Sequence, residues 1–450
     1  MESILFIHGH EFDKLNLFSK MANEYIDNNK KVRLLAFSRY ELNILKMNIQ
    51  CGEITFIPKQ LKSIDIKNTM EIDNYSDKEI EEMLNYNYNF NLVNKYKVSK
   101  EHYYNICKLY LEYLSELVKK ENINKFIMWN NSFLFDRIAW FFAMKNNIKV
   151  VVLEQGFFRP FTFTVDPRGV NFENSMPREE KYYIDLSIDN ERLYRYLLKP
   201  ETFDIRDYEL DRKSNIYKYS TRYLYSLMDK LAVVINREED CRIINYSLLD
   251  LMKKYRGTAK INDESISLEK KYVFIPFQVE DDSQIILNSP NIKSMNSLVK
   301  IIDDLSKYYN EYTFVFKEHP ASKVNYDEVY NKYRINDRLI FLKDGNTKEL
   351  IKNAEAVITV NSTVGIEALM EGKKVMTLGN AFFNISGLVE HCKILEEIKD
   401  SFENLIKSKY NKELVEKFLY ELRFNYQKEF YWRNPSKIQV KELIKYIDSL

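Results

Sequence analysis

The sequence predicts an α/β protein made of two doubly wound, Rossmann-like domains with a cleft between them. Three observations predict this: apolar runs alternate with helical segments across residues 271–410, a β-α-β pattern opens the chain, and 450 residues exceed one ordinary core.

In the first domain, expected over 1–258, the run ESILFIH at 2–8 ends in His8-Gly9-His10. An amphipathic stretch over 13–28 and a second apolar run, KVRLLAF, complete a β-α-β unit. A third strand is expected at Ile54–Ile57. The charged, tyrosine-rich stretch 59–122 reads as a helical insertion or lid. Strands return at Lys125–Trp129 and Lys149–Leu153 around a helix over Phe133–Lys145. Residues 154–178 hold three prolines and two glycines and read as a long loop, which five phenylalanines should keep packed. A second helical insertion over 179–258 and a polar linker over 260–270 follow.

The second domain, over 271–410, has strands predicted at Tyr272–Phe277, Tyr312–Phe316, Leu339–Leu342, Ala356–Val360 and Val375–Leu378. A helix near Asn411–Arg433 within a 411–450 extension is expected to pack back on the first domain.

Composition narrows the function. Lys plus Arg number 67 against 66 Asp plus Glu, which leaves no basic footprint for nucleic acid. No run approaches the ~20 apolar residues of a membrane span, and the opening residues lack a signal peptide's pattern, so a cytoplasmic place is expected. The four cysteines form no C-x-x-C pair, as expected of free thiols in a reducing compartment. His102 and His391 read as packing or surface residues.

Ligands of doubly wound sheets bind beyond the carboxyl ends of the strands, so the residues just after each run matter most. After Val360 come Asn361, Ser362 and Thr363, then a helical stretch containing Glu367. A strand feeding a helix N-terminus suits a phosphate, and the same polar residues also suit plain helix capping. After Phe316 come Lys317 and His319, two phosphate partners, before Pro320 ends the strand. After Phe277 come Gln278 and the acidic turn Glu280-Asp281-Asp282. That turn is either solvated or supplies a carboxylate for glycosyl transfer, with Glu154 as a second carboxylate at a strand end of the other domain.

Four blocks together resemble the bacterial capsule polysaccharide synthesis family, whose characterised enzymes are retaining β-Kdo transferases of GT-B-like architecture. WNN at 129–131 is similar to the family's W-N-G, with Asn131 in place of glycine. EQGFFRP with GVNFENSMPR, FIPFQVEDDSQI, and KEHP with VNSTVGIEALMEGKKVMTLGNAFF are similar to the other three. The blocks span 125–383.

The resemblance implies that Asp282 is the catalytic nucleophile, with Asp281 its rival, that Glu154 assists as acid/base or in acceptor binding, and that His319 belongs to the catalytic set as well as to the phosphate site. It implies that Lys317, His319, Ser362 and Thr363 hold the phosphate and ribose of CMP, with Asn361 and Gln278 at the same site and Glu367 toward the ribose or base. Arg159, Asn130 and Asn131 would line the sugar or acceptor side, and Arg159 and Lys317 are both candidate partners of the Kdo carboxylate, Arg159 able to grip it with two hydrogen bonds. The expected donor is CMP-Kdo and the expected acceptor a glycan or glycolipid. No metal or other cofactor is expected, because helix dipole and cations can neutralise the leaving phosphate. Association with the inner face of the membrane or a capsule assembly complex is compatible with that chemistry. The alternatives are a polyol-phosphate transferase, a sugar-nucleotide epimerase, or a noncatalytic capsule-assembly subunit.

Overall fold

The computed structural model describes residues 2–7, 9, 11–197, 216–242 and 271–450. His8, His10 and the expected linker over 260–270 lie outside them, as does much of the expected helical insertion at 179–258. Thirteen strands occur among the described residues. They are β1 (Ser3–Ile7), β2 (Lys31–Ala36), β3 (Glu53–Phe56), β4 (Lys125–Trp129), β5 (Lys149–Gln155), β6 (Thr162–Asp166), β7 (Tyr272–Pro276), β8 (Thr313–Lys317), β9 (Leu339–Leu342), β10 (Ala356–Thr359), β11 (Lys374–Thr377), β12 (Glu390–His391) and β13 (Lys428–Glu429).

They form two sheets, ordered β13-β6-β5-β4-β1-β2-β3 and β12-β11-β10-β7-β8-β9. The second sheet is parallel throughout. The first is parallel from β5 to β3, with β6 and β13 added antiparallel at its edge. Both follow the Rossmann order, which reverses between β1 and β4 in one sheet and between β7 and β10 in the other. In sheets of this order ligands bind beyond the carboxyl edge at the reversal. The α/β class with two Rossmann-like sheets is thus as the sequence predicts.

The chain divides into two compact units: Met1–Ser175, Tyr194–Asn245 and Arg423–Leu450 make the first, Met176–Leu193 and Tyr246–Leu422 the second. These boundaries differ from the sequence-based ones. Residues 176–193 join the second unit, where Tyr183 is buried with its ring 6.0 Å from Phe418. The 411–450 extension is divided between the two. Its helix ends sooner than expected: Lys412–Tyr420 is α-helical, Glu421–Tyr426 is a π-helical turn, and β13 follows.

Alternation along β1 shows how the first sheet is buried on both faces. Leu5 and Ile7 join one apolar cluster, Ile4 and Phe6 the other. The first cluster includes Ile80, Met83, Leu84, Tyr103, Ile106 and Tyr110 from the helices Asp77–Val93 and Lys100–Glu121. The stretch 59–122 is therefore a packed layer of the core and not a lid. Ser76 with Glu79 makes a capping box at the start of the first of these helices, and Ser99 caps the second. On the opposite face the helix Lys437–Ser449 contributes Val440, Leu443, Ile444 and Ile447. Its Asp448 accepts from the buried Lys125 ammonium at 2.6 Å and from the Tyr25 hydroxyl at 2.9 Å.

The loop expected over 154–178 contains β6, paired with β5 from Val152↔Asp166 to Gln155↔Phe163. The β-branched and aromatic run TFTVD favours a strand, which the flanking prolines and glycines obscured. Among the described residues no helix is long and apolar enough to cross a membrane.

Candidate functional site

In the second unit, β7, β8 and β10 lie side by side, so the turns after them share one carboxyl edge at the point where strand order reverses. Gln278, just beyond β7, is buried and spans to the turn after β10. Its Oε1 accepts from the Asn361 N–H at 3.0 Å and the Thr359 hydroxyl at 3.2 Å, while its Nε2 donates to Asn361 Oδ1 at 3.0 Å. Asn361 Nδ2 donates onward to the Gln284 carbonyl at 2.8 Å. The expected ligand-binding amides of Gln278 and Asn361 are thus spent on each other, tying the acidic turn to the strand-to-helix turn.

Asp282 precedes the helix Ser283–Asn288 and caps it: Oδ1 accepts from the Gln284 N–H at 2.7 Å and faces the Ser283 hydroxyl at 3.5 Å. Oδ2 carries no hydrogen bond among the described residues. The cap fixes the carboxylate while leaving its second oxygen available. Asp282 stands exposed at the turn, yet crowding by surrounding atoms raises its pKa above the ordinary aspartate value, and the negative charge of Asp281 acts in the same direction. Asp281 lies 3.9 Å from the Lys323 ammonium. Glu280 is engaged elsewhere, accepting from the Met295 N–H at 2.7 Å.

Lys317 ends β8 with 9% of its surface exposed and forms no ion pair among the described residues. Its nearest hydrogen-bond partner is the Glu318 carbonyl at 3.4 Å. Burial lowers its pKa, with Asp344 and Glu318 opposing. A buried ammonium without a contact ion pair is costly even with carboxylates nearby, and an anionic ligand would lower that cost. His319 is exposed, and its Nδ1 accepts from the Ala321 N–H at 3.1 Å. In the neutral ring this leaves Nε2–H as the donor. Loss of hydration and then the Lys317 charge lower the His319 pKa, against the pull of Asp282.

The turn after β10 serves both readings left open by the sequence. Ser362 Oγ accepts from the Val364 N–H at 3.2 Å, a local cap, and its own O–H remains to donate. Thr363 and Glu367 are exposed, and Thr363 makes no side-chain cap bond. Gly365 lies in the first turn of Val364–Met370, where a Cβ would fall 2.9 Å from the Phe383 ring, so only glycine allows this approach.

The first-unit residues form a second group. Asn130 takes the left-handed conformation, φ 68°, just beyond β4. Its Oδ1 accepts from the Ser132 N–H at 2.7 Å and its Nδ2 donates to Glu154 Oε2 at 2.7 Å. Glu154 Oε1 accepts from the Gln155 N–H at 2.8 Å. Asn131 is also engaged: Nδ2 donates to Glu173 at 2.5 Å, and Oδ1 accepts from the Val170 N–H at 3.4 Å. Glu173 pairs with Arg137 at 2.6 Å. The side chain replacing the family's glycine therefore clamps the 169–173 loop, and the positive φ belongs to its neighbour. Arg159 differs from these: exposed, it forms no ion pair among the described residues, and its Nε reaches only the Gly156 carbonyl at 3.4 Å.

Sequence reasoning missed the supports of this group. Asp166, fully buried, accepts from the N–H groups of Arg168, Gly169 and Ser175 and from the Tyr426 hydroxyl at 2.8 Å. Gln427 accepts from the Phe157 N–H at 2.9 Å and donates to Thr164 at 2.9 Å. Gly156 packs so tightly on Thr162 that a Cβ would fall 2.2 Å from its hydroxyl oxygen. Asp166 before Pro167-Arg168-Gly169 was a readable turn signal. Gln427 carried none, because its partners lie about 270 residues away.

Among curated proteins, FixF of Sinorhizobium fredii is 43% identical over 124 residues, 28% of this chain and 30% of that protein. The capsule polysaccharide export protein KpsS of Escherichia coli is 25% identical over 302 residues, 64% of this chain and 75% of that protein. The capsule polysaccharide modification protein LipB of Neisseria meningitidis serogroup B is 21% identical over 318 residues, 63% and 70% respectively. Among solved structures, the KpsC β-Kdo 2,7 transferase of Thermosulfurimonas dismutans aligns with a TM-score of 0.36 at 17% identity, covering 83% of this chain and 97% of that one. A Methanocaldococcus jannaschii UDP-GlcNAc 2-epimerase aligns with a TM-score of 0.32 at 12% identity, covering all of both chains. The family model described as capsule polysaccharide biosynthesis protein matches residues 124–428, which hold both groups of residues above, and the chain belongs to that family.

Proposed function

We propose that this protein is a glycosyltransferase with a GT-B-like arrangement, moving Kdo from CMP-Kdo, with retention, onto a capsule-type glycan or glycolipid. The observation that carries the reading is Lys317: a buried ammonium with no contact ion pair among the described residues, at the carboxyl edge where strand order reverses, on the strand next to β7 and its Asp282 turn.

In this reading Lys317, the Nε2–H of His319, and the hydroxyls of Ser362 and Thr363 hold the CMP phosphate, with Glu367 toward the ribose or base. Gln278 and Asn361 act as positioning residues. Asp282 Oδ2 attacks the anomeric carbon as the bond to the CMP oxygen breaks and its electron pair leaves on the phosphate. An acceptor hydroxyl then attacks the same carbon, losing its proton to a base and releasing the Asp282 carboxylate, so two inversions give retention. Glu154 is the proposed acid/base, oriented by Asn130, and Arg159 the partner of the Kdo carboxylate. Asn131 acts through the loop it clamps. No metal is needed, because the cations and the helix end take up the leaving charge.

The test is calorimetric titration with CMP, UDP, GDP and CDP without added metal, followed by CMP-Kdo turnover with glycan acceptors. CMP-selective, EDTA-insensitive binding that is lost in Lys317→Gln is the expected result. Preference for another nucleotide would discard Kdo, and no nucleotide binding would leave a noncatalytic assembly role.

A further inference from the structure

His319 stands where β8 gives way to the irregular stretch 318–326, and a tight turn fixes its ring. Pro320 suits the second position of a β-turn, and the Ser322 N–H donates back to the His319 carbonyl at 2.9 Å. This turn brings the Ala321 N–H against His319 Nδ1 at 3.1 Å. A ring nitrogen accepts only while it carries no proton, so the turn selects the tautomer protonated on Nε2. Whatever holds Ser322 therefore holds the tautomer.

Ser322 is held by Tyr326. The Tyr326 side chain is buried and meets the Phe277 ring edge-on at 4.9 Å, which anchors it just beyond β7. Its hydroxyl lies 3.3 Å from Ser322 Oγ and is also hydrogen-bonded to the Glu280 carboxylate, which accepts from the Met295 N–H at 2.7 Å. A tyrosine hydroxyl has one proton to give, and an ionised carboxylate only accepts. Tyr326 thus donates to Glu280, and Ser322 must donate to Tyr326. The Ser322 lone pairs remain for the Val324 N–H at 3.3 Å. The bonds run in one direction, from Val324 through Ser322 and Tyr326 to Glu280, two residues before Asp282. Lys323 and Asp281, 3.9 Å apart, tie the same two segments, but the lysine side chain is 68% exposed and such pairs are weak.

We propose that Tyr326 is a positioning residue: through Ser322 it keeps the His319 Nε2–H ready to donate, and through Glu280 it ties that donor to the turn bearing Asp282. Its part in nucleotide binding rests on the donor-site reading above; the choice of tautomer does not. Tyr326 lies outside the four blocks that carry the family resemblance, so sequence alone gave it no role.

The experiment is heteronuclear NMR of the imidazole nitrogens in the full chain at about pH 8, where neutral rings report their tautomer. The chain has five histidines, and His319→Gln identifies the signal of interest. Wild type is expected to show the Nε2–H tautomer alone. Tyr326→Phe keeps the ring against Phe277 and removes the hydroxyl; a mixture of tautomers and a roughly fivefold weaker CMP affinity are expected. Ser322→Ala should do the same, and Ser322→Thr, which keeps a hydroxyl, should restore the wild-type signal. Tyr326→Phe/Ser322→Ala should lose no more affinity than either single change. A merely structural tyrosine would lower the melting temperature and leave the tautomer alone, and that result overturns the proposal. So does an Nδ1–H wild type, additive losses in the double variant, or tautomer mixing with CMP affinity unchanged. An unaltered tautomer in Ser322→Ala overturns it too, which keeps the test open should Tyr326→Phe fail to fold. Tautomer mixing in the variants of a protein that binds no CMP in any form would uphold the positioning and overturn the donor reading alone.

Discussion

The two groups of candidate residues sit at equivalent carboxyl edges of similarly ordered sheets, yet they differ in what their polar atoms do. In the first unit Asn130, Asn131 and Glu154 bond to one another or to neighbouring loops. In the second, Lys317, His319 Nε2–H and Asp282 Oδ2 keep unused capacity. Matching sequence blocks thus cover two physical situations: side chains bonded to one another or to the backbone, and side chains with hydrogen-bonding capacity left over among the described residues. Substitution should separate them, Asn130 and Asn131 chiefly lowering stability, and Lys317, His319, Asp282 and the proposed acid/base Glu154 lowering binding or turnover.

The largest contrast is expected at Asp282. Asp282→Asn keeps a good helix cap, so its melting temperature should stay at the wild-type value while turnover falls by roughly three orders of magnitude or more. An active Asp282→Asn enzyme, with Asp281→Asn inactive, would move the nucleophile one residue. Next comes Asn130→Ala, which loses two hydrogen bonds and places a Cβ residue at φ 68°. A destabilisation of about 2–3 kcal/mol in denaturant titration is expected. Asn130→Gly should recover the backbone part of it. Unchanged stability in Asn130→Ala would erase the distinction between the groups. Lys317→Gln should weaken CMP binding by roughly tenfold to a hundredfold, with stability kept or raised as the unpaired charge goes.

The smallest effect is a pH dependence. A depressed His319 pKa leaves the ring neutral near pH 7; a bound phosphate favours the imidazolium, so CMP affinity should rise as pH falls below the ordinary histidine range. The raised Asp282 pKa acts oppositely on turnover: the nucleophile must be ionised, so the acid limb should lie above the ordinary aspartate value. Calorimetry and turnover measured across pH should diverge, and His319→Gln should flatten only the affinity profile.

Legibility followed the range of the interactions. The strands β4 and β9 stand where their apolar runs end, because a buried parallel strand is recorded in its own residues. The strand-end positions of Lys317, Asp282 and Ser362 followed from the same runs. What stayed hidden depends on distant partners: the pairing of Gln278 with Asn361, the antiparallel edge formed by β6 and β13, and the core role of the helices over 77–121. The positive φ of Asn130 was hidden too, since asparagine is common in many turns.

β13 and the helix Lys437–Ser449 complete a sheet begun at Ser3. During synthesis, therefore, the unit that starts first is closed only after the second has been made: its outer edge stays open, with Trp129 lacking the Trp432 ring 4.5 Å away, until residues 428–449 have emerged. A nascent chain stalled before residue 423 would hold the strands of the second sheet already made beside an unfinished first one, and that is the stage at which a chaperone would find most to bind.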